Sequence, residues 1–285
     1  MPSAPMHQHD EGYTTVPGDG RVYWQSWEPA DPKGVVVIAH GIAEHSGRYR
    51  HVAERLAHAG YAVAAGDHRG HGRSQGVRGN IDRMTLVLDD LDAVLTSAAR
   101  RHPALPLFLL GHSLGGLIAL DYALSRGHDH LAGLVLSAPA VDPSVGSAAE
   151  RLVAPLLSWV LPNLPITPLD VTAISRDPEV VAAYRADPLN YLGKIRARTG
   201  AEVLASVARV GKQLPAITVP TLIMQGTEDR LVRPSGAELI RDTVSSDDVT
   251  HKTYPGLFHE IFNEPEQDQV LGDVVDWLDA HVDAT

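Results

Sequence analysis

The sequence predicts an α/β fold, a mostly parallel sheet sandwiched between helices, with one long helical insertion late in the chain. Three observations predict it. Short apolar runs recur, and each ends in a turn signal. Helical patterns separate the runs. One stretch, from Pro139 to Leu214, carries no convincing strand.

The elements follow in chain order. "RVYWQSW" (21–27) alternates in polarity, as a strand with one wet face does. "VVVIA" (35–39), "AVAAG" (62–66), "LFLL" (107–110), "LVLS" (134–137) and "TLIM" (221–224) are continuous apolar runs, the pattern of strands covered on both faces. "VTHKTY" (249–254) reads as the last strand. Helical spacing predicts helices over Tyr49–Ala59, Thr85–Arg101, Leu114–Ser125, Pro234–Val244 and Glu264–His281. Strand–helix alternation implies parallel strands joined by right-handed crossovers. The interruption is apolar, proline-punctuated and helical, too long for a plain connection, and reads as a lid. The expected organisation is a core of 1–138 and 215–285 and a helical cap of 139–214.

Composition narrows the function. With 44% hydrophobic and 21% charged residues the chain is globular. A formal charge of −11 argues against a general nucleic-acid binder, which needs a basic face. The absence of Cys removes disulfides, a thiolate nucleophile and Cys-ligated zinc, and fits a reducing cytosol. "MPSAPMHQHDEGY" lacks the basic and apolar regions of a signal peptide. No apolar run approaches the roughly 18 residues that span a bilayer. The expectation is a cytoplasmic protein whose membrane contact, where it has any, is peripheral. No cofactor is expected.

"LFLLGHSLGGLIAL" (107–120) carries the chemistry. A strand leads into Gly111-His112-Ser113-Leu114-Gly115 and then a helix, which is the nucleophile-elbow pattern. Glycines at 111 and 115 permit a strained serine backbone and a close helix–strand approach. Ser113 is the expected nucleophile, and the Leu114 N–H one oxyanion donor. A serine hydroxyl needs a base held by a carboxylate, and in this architecture the order is Ser, acid, His. Asp229 lies just past the "TLIM" strand, with Glu228 as its neighbouring rival. His259 lies past the "VTHKTY" strand; His251 inside that strand and His281 at the terminal helix end are poorly placed. The expected catalytic set is therefore Ser113, Asp229 and His259.

"AHGIAEHSGRY" (39–49) invites a metal reading, because two histidines and a glutamate crowd together. The spacing does not match H-E-x-x-H, and the segment begins as a loop, so no metal site is expected. The loop after this strand supplies the second oxyanion donor in such hydrolases, which points to the Ile42 N–H with Gly41 allowing close passage. Glu44 and Arg48 are spaced i, i+4. They read either as an exposed helix-start ion pair or as polar groups behind the oxyanion loop, near a bound alcohol. "DHRGHGRSQG" (67–76) reads as a structural loop beside the elbow.

Together "HGIAEHSGRY", "DHRGHGRS", "GHSLGG", "GTEDRLV" and "YPGLFHEIFNEP" resemble the monoacylglycerol lipases of the α/β-hydrolase superfamily, in a bacterial form. "VLPNLP", "AISRDPEVV" and "YRADPLNY" extend the resemblance through the insertion. It implies an α/β-hydrolase fold with the helical cap inserted after the sixth strand. It implies Ser113, Asp229 and His259 as the triad and Ile42 and Leu114 as oxyanion donors. It places Glu44, Arg48 and Tyr184 near the glycerol end of the pocket. Vertebrate members carry cysteines near their sites, and this chain has none. The implied reaction is hydrolysis of a monoacylglycerol to glycerol and fatty acid through an acyl-enzyme. The alternatives are a lysophospholipase or broad carboxylesterase on the same triad and, more distantly, a non-catalytic lipid-binding protein of this fold. In the cap, Val145, Leu152, Val153, Leu156, Leu157, Trp159, Val160, Leu161 and Leu164 form an apolar stripe. Part of it is expected to face the core, and the rest to form a lip that docks on lipid.

Overall fold

The computed structural model describes residues 7–16, 20–142 and 147–282. Val145 of the apolar stripe and the first six residues of the N-terminal segment lie outside the described residues. The sheet has eight strands. They are β1 (His7–Val16), β2 (Gly20–Pro29), β3 (Gly34–Ala39), β4 (Tyr61–Gly66), β5 (Leu107–His112), β6 (Gly133–Ser137), β9 (Thr221–Gly226) and β10 (Val249–Tyr254). Two short strands, β7 (Pro165–Thr167) and β8 (Ile195–Arg196), pair separately inside the insertion. The spatial order is β1-β2-β4-β3-β5-β6-β9-β10. β1 and β2 are antiparallel to their neighbours, and the remaining six strands run parallel. This is the α/β-hydrolase arrangement that the sequence predicts.

Side chains alternate across the sheet with period two and split into two cores. Val35, Val37 and Ala39 of β3 join the layer under α2 (Met84–Arg101) and α3 (Leu114–Arg126). Val36 and Ile38 join the opposite layer under α1 (Arg50–His58) and α8 (Gln267–His281). The central strands are apolar up to their C-terminal ends, where His112 and Ser137 sit, because both faces are covered.

Two features depart from the sequence reading. β1 does not stand out as a strand because its residues are polar and alternately exposed, as suits a charged edge. It pairs with all of β2 and makes the run at 134–137 the sixth strand. The insertion, read as strandless, contains β7 and β8, which are too short to leave a period.

The insertion leaves the sheet after β6 and returns at β9, and β6 and β9 are paired neighbours. Between them run α4 (Ala148–Val160), β7, α5 (Pro178–Ala186), β8 and α6 (Ala197–Gln213). α6 is tied to α3. Asp121 of α3 is fully buried and accepts hydrogen bonds from Ser206 Oγ at 2.6 Å and Arg209 Nε at 3.1 Å. α4 presents its apolar residues outward. Leu152 and Trp159 are 81% and 77% exposed, and Val153, Leu156, Val160 and Leu161 are exposed beside them. The core-facing part of the stripe is narrow: among its described residues only Leu157 is not exposed. Among the described side chains of α4, Ser158 is the buried one and Leu157 is half-buried. No helix among the described residues is long and apolar enough to cross a membrane.

Candidate active site

β5 ends at His112, and the chain turns sharply into α3 at Ser113, whose φ of 55° and ψ of −117° lie outside the usual regions for a side-chain-bearing residue. The turn requires its glycines. A Cβ on Gly111 would lie 2.3 Å from the Gly115 oxygen, and one on Gly115 would lie 2.0 Å from the Ala39 oxygen. The strain is held by surrounding bonds: Ser113 N–H donates to Ser137 O at 2.9 Å, and Ser113 O accepts from Gly116 and Ala140. The backbone N–H of Leu114 begins the helix and makes no hydrogen bond among the described residues.

β3 delivers the second loop. A Cβ on Gly41 would sit 3.4 Å from Ser113 Cβ, so the loop passes directly beside Ser113. Gly41 N–H is taken by Glu44 Oε1 at 2.6 Å, whereas Ile42 N–H makes no hydrogen bond among the described residues. The insertion braces the loop. Ala43 has a φ of 63°, and its carbonyl accepts from Tyr184 Oη at 2.7 Å and Tyr191 N–H at 2.9 Å.

The neighbouring histidines are structural. His40 Nε2 accepts the His68 N–H at 2.9 Å, which leaves Nδ1 to donate to Gly41 O at 2.7 Å. The His40 and His68 rings pack 4.1 Å apart. Burial pushes His68 down to about 3, His71 to about 4 and His40 well below its ordinary value. All three are neutral. Among the described residues no group of three His, Asp or Glu side chains is arranged to hold a metal ion.

Asp229 and His259 arrive from the loops after β9 and β10. Asp229 Oδ2 is 2.7 Å from His259 Nδ1 and accepts from Gln225 Nε2 at 2.9 Å. Its Oδ1 accepts the backbone N–H groups of Leu231 and Val232 at 2.8 and 2.9 Å. Glu228 is exposed. Burial would raise the Asp229 pKa, but His259 and these donors outweigh it and hold it below the usual carboxylate range. Burial would lower His259; the Asp229 carboxylate outweighs it, with Glu260 and Glu44 adding, and the pKa is raised. His112 packs 4.7 Å from His259, and burial takes it down to about 3. His251 stays in β10, and His281 pairs with Asp248 at 2.9 Å.

Ser113 and His259 line one cavity of ≈ 170 Å³. Gly41, Ile42, Leu114, Glu44 and Tyr184 line it with them, as do Leu169, Ile174 and Val203 of the insertion. A larger groove of ≈ 420 Å³, between the 69–82 loop and the insertion, contains none of the predicted site residues.

Glu44 and Arg48 are not an exposed pair. Glu44 is 3% exposed and lines the cavity. Arg48 lies behind it, bonded to Glu44 Oε2 at 2.6 Å and to both oxygens of Glu260 at 2.6 and 2.7 Å. Its guanidinium also stacks over the Tyr184 ring at 4.6 Å. Glu260 is the residue that sequence reasoning missed, since nothing in the sequence links position 48 to position 260. The reading of Arg48 behind the oxyanion loop, with Glu44 as its one carboxylate partner in the sequence, is the only available signal.

Residues 30–266 match the family model described as serine aminopeptidase, S33. The chain is 45% identical over 267 residues to a monoacylglycerol lipase of Mycolicibacterium smegmatis, covering 93% of this chain and 95% of that one. It is 38% identical over 253 residues to human monoglyceride lipase, covering 87% and 83% respectively. The crystal structure of a Paleococcus ferrophilus monoacylglycerol lipase superposes with a TM-score of 0.80 at 30% identity, covering 96% of this chain and 99% of that one.

Proposed function

We propose that this chain, which belongs to the serine aminopeptidase S33 family and within it to the monoacylglycerol lipases, cleaves monoacylglycerols by the nucleophilic chemistry of Ser113, His259 and Asp229. The chain is a carboxylic ester hydrolase. The observation that carries the residue assignment is the buried Asp229–His259 pair opening onto the same cavity as the strained Ser113.

The geometry supports the following roles. Asp229 accepts from Nδ1 of His259, which leaves the Nε2 lone pair free to take a proton. Ser113 Oγ attacks the ester carbon as its proton passes to His259. The developing oxyanion faces the unused N–H groups of Ile42 and Leu114. His259 then protonates the departing glycerol alkoxide, and water releases the fatty acid by the reverse proton route. Glu44 and Tyr184 offer acceptors to glycerol hydroxyls, with Arg48 supporting both from behind. The site carries two carboxylates against one guanidinium already engaged by them. No Lys or Arg is among the described residues lining the cavity, and Arg48 behind it is already engaged, so a phosphate finds no unengaged cation there, which supports a neutral glycerol ester over a lysophospholipid.

Turnover of a panel of monoacylglycerols, diacylglycerols and lysophospholipids, with Ser113→Ala as control, tests this reading. Monoacylglycerols lead and the variant is folded and inactive; activity retained by Ser113→Ala refutes the assignment. The cap at 139–214 is proposed to touch membranes through α4. Its exposed Leu152, Leu156 and Trp159 supply an apolar face suited to an acyl interface. Trp159→Ser with Leu156→Ser lowers binding to monoacylglycerol-containing vesicles, and unchanged binding rejects the contact. A cytoplasmic location, with membrane association through this face alone, is part of the same proposal.

A further inference from the structure

Glu260 follows His259 directly, yet its side chain reaches across to the other catalytic loop. It is 5% exposed. Oε1 accepts from Arg48 Nη1 at 2.6 Å, and Oε2 accepts from Arg48 Nη2 at 2.7 Å and Asn263 Nδ2 at 2.9 Å. Its backbone N–H donates to Ile174 O of the insertion at 2.8 Å. From Arg48 the connection runs to Glu44 Oε2 at 2.6 Å, and from Glu44 Oε1 to Gly41 N–H at 2.6 Å and Tyr49 Oη at 2.8 Å. An unbroken series of charged hydrogen bonds therefore joins the loop of His259 to the loop of Ile42.

Stability does not account for the arrangement. Burying three charges costs more desolvation than the pairing readily returns, and apolar replacements of such networks are often neutral or stabilising. Geometry does account for it. A bidentate carboxylate–guanidinium contact fixes direction as well as distance, and its two ends sit on the two loops between which an ester carbonyl must fit.

We propose that Glu260 is a positioning residue: its two-point clamp on Arg48 sets the spacing between the proton acceptor His259 and the oxyanion donor at Ile42. The proposal rests on the reading of Ser113, His259 and Ile42 given above. Charge supports it. Burial would raise the Glu260 pKa, and Arg48 outweighs burial and holds it below the usual range. The groups facing His259 are Asp229 from the loop after β9, His112 from the elbow, Glu260 on its own loop, and Glu44 with Arg48 from the loop after β3. The titratable group that the insertion adds to the cavity is Tyr184, whose phenol burial keeps neutral. Glu260 thus adds to the basicity of His259 while holding its loop.

Glu260→Gln and Glu260→Asp in the full chain test the proposal. Glu260→Gln keeps the shape and removes the charge. It lowers kcat by about tenfold with KM within about twofold, and moves the acid limb of the pH profile to lower pH. Glu260→Asp keeps the charge but is too short for the two-point clamp, so kcat falls by about tenfold while the acid limb stays in place. Values of kcat within about twofold of wild type in both variants overturn the proposal, as does a loss confined to KM, or an unmoved limb in Glu260→Gln. If Glu260→Gln does not fold, Glu260→Asp decides alone by its kcat. Ser113→Ala, assayed alongside, separates the two levels. Activity there refutes the underlying assignment, whereas an inactive Ser113→Ala beside wild-type-like Glu260 variants refutes the clamp only.

Discussion

Replacing Asp229 by Asn removes one charge and leaves the loop's shape. Oδ1 is fixed by the N–H groups of Leu231 and Val232 at 2.8 and 2.9 Å, so the new amide keeps its oxygen there. The amide nitrogen then occupies the position that now lies 2.7 Å from His259 Nδ1. It donates where the carboxylate accepted, which turns the imidazole into the tautomer that carries its proton on Nε2. That nitrogen can no longer take the Ser113 proton. Gln225 turns its amide to match, which gives a partner to Gln225 Oε1, now buried without one. The variant therefore folds, and its defect is chemical. In serine hydrolases with this constellation such a change costs about 10⁴ in kcat, or ~5 kcal/mol of transition-state stabilisation. The assay is monoacylglycerol hydrolysis across pH, with thermal melting as the folding control. Glu228→Gln, at an exposed neighbour, leaves the rate unchanged. A loss of less than about tenfold in a folded Asp229→Asn protein refutes the reasoning.

Other outcomes follow from the same contacts. Neutral His259 is the active form and its pKa is raised above the ordinary 6.5, so kcat/KM falls as pH drops through a limb lying above 6.5. A limb at or below 6.5 contradicts the Asp229 pairing. Gly115→Ala places a Cβ 2.0 Å from the Ala39 oxygen, a backbone atom that cannot swing away. It destabilises the fold by about 3 kcal/mol, measured by denaturant unfolding. Glu44→Ala frees the Gly41 N–H and unseats the Ile42 donor; kcat falls about 10²-fold while Ser113 remains labelled by an organophosphonate, and a wild-type kcat argues against the oxyanion role.

The parts legible in the sequence are those encoded locally. The buried strands announce themselves as apolar runs because each is covered on both faces. The elbow is readable because close packing at Gly111 and Gly115 tolerates no other residue. Asp229 and His259 are readable because chain order and strand ends constrain where they fall. What stayed hidden is of three kinds. β1 is polar on both sides, so no alternation marks it. The Arg48–Glu260 pair spans 212 positions, and only folding brings the two together. The direction of the α4 stripe was also beyond a periodicity argument, which gives the width of an apolar face but not what covers it.

The insertion begins after β6 and ends before β9, two strands that already lie side by side in the sheet. Its length can therefore change without moving Ser113 relative to Asp229 and His259, because the two ends of the graft are fixed points of the scaffold. Shared fasteners tie the insertion to the sheet layers at several places. Tyr184 and Tyr191 on Ala43 O, Ile174 O on Glu260 N–H, and Ser206 and Arg209 on Asp121 are among the bonds that a transplanted insertion has to reproduce. A chimaera that keeps these fasteners and replaces the cavity-facing Leu169 and Val203 exchanges acyl preference while the hydrolytic machinery below stays unaltered.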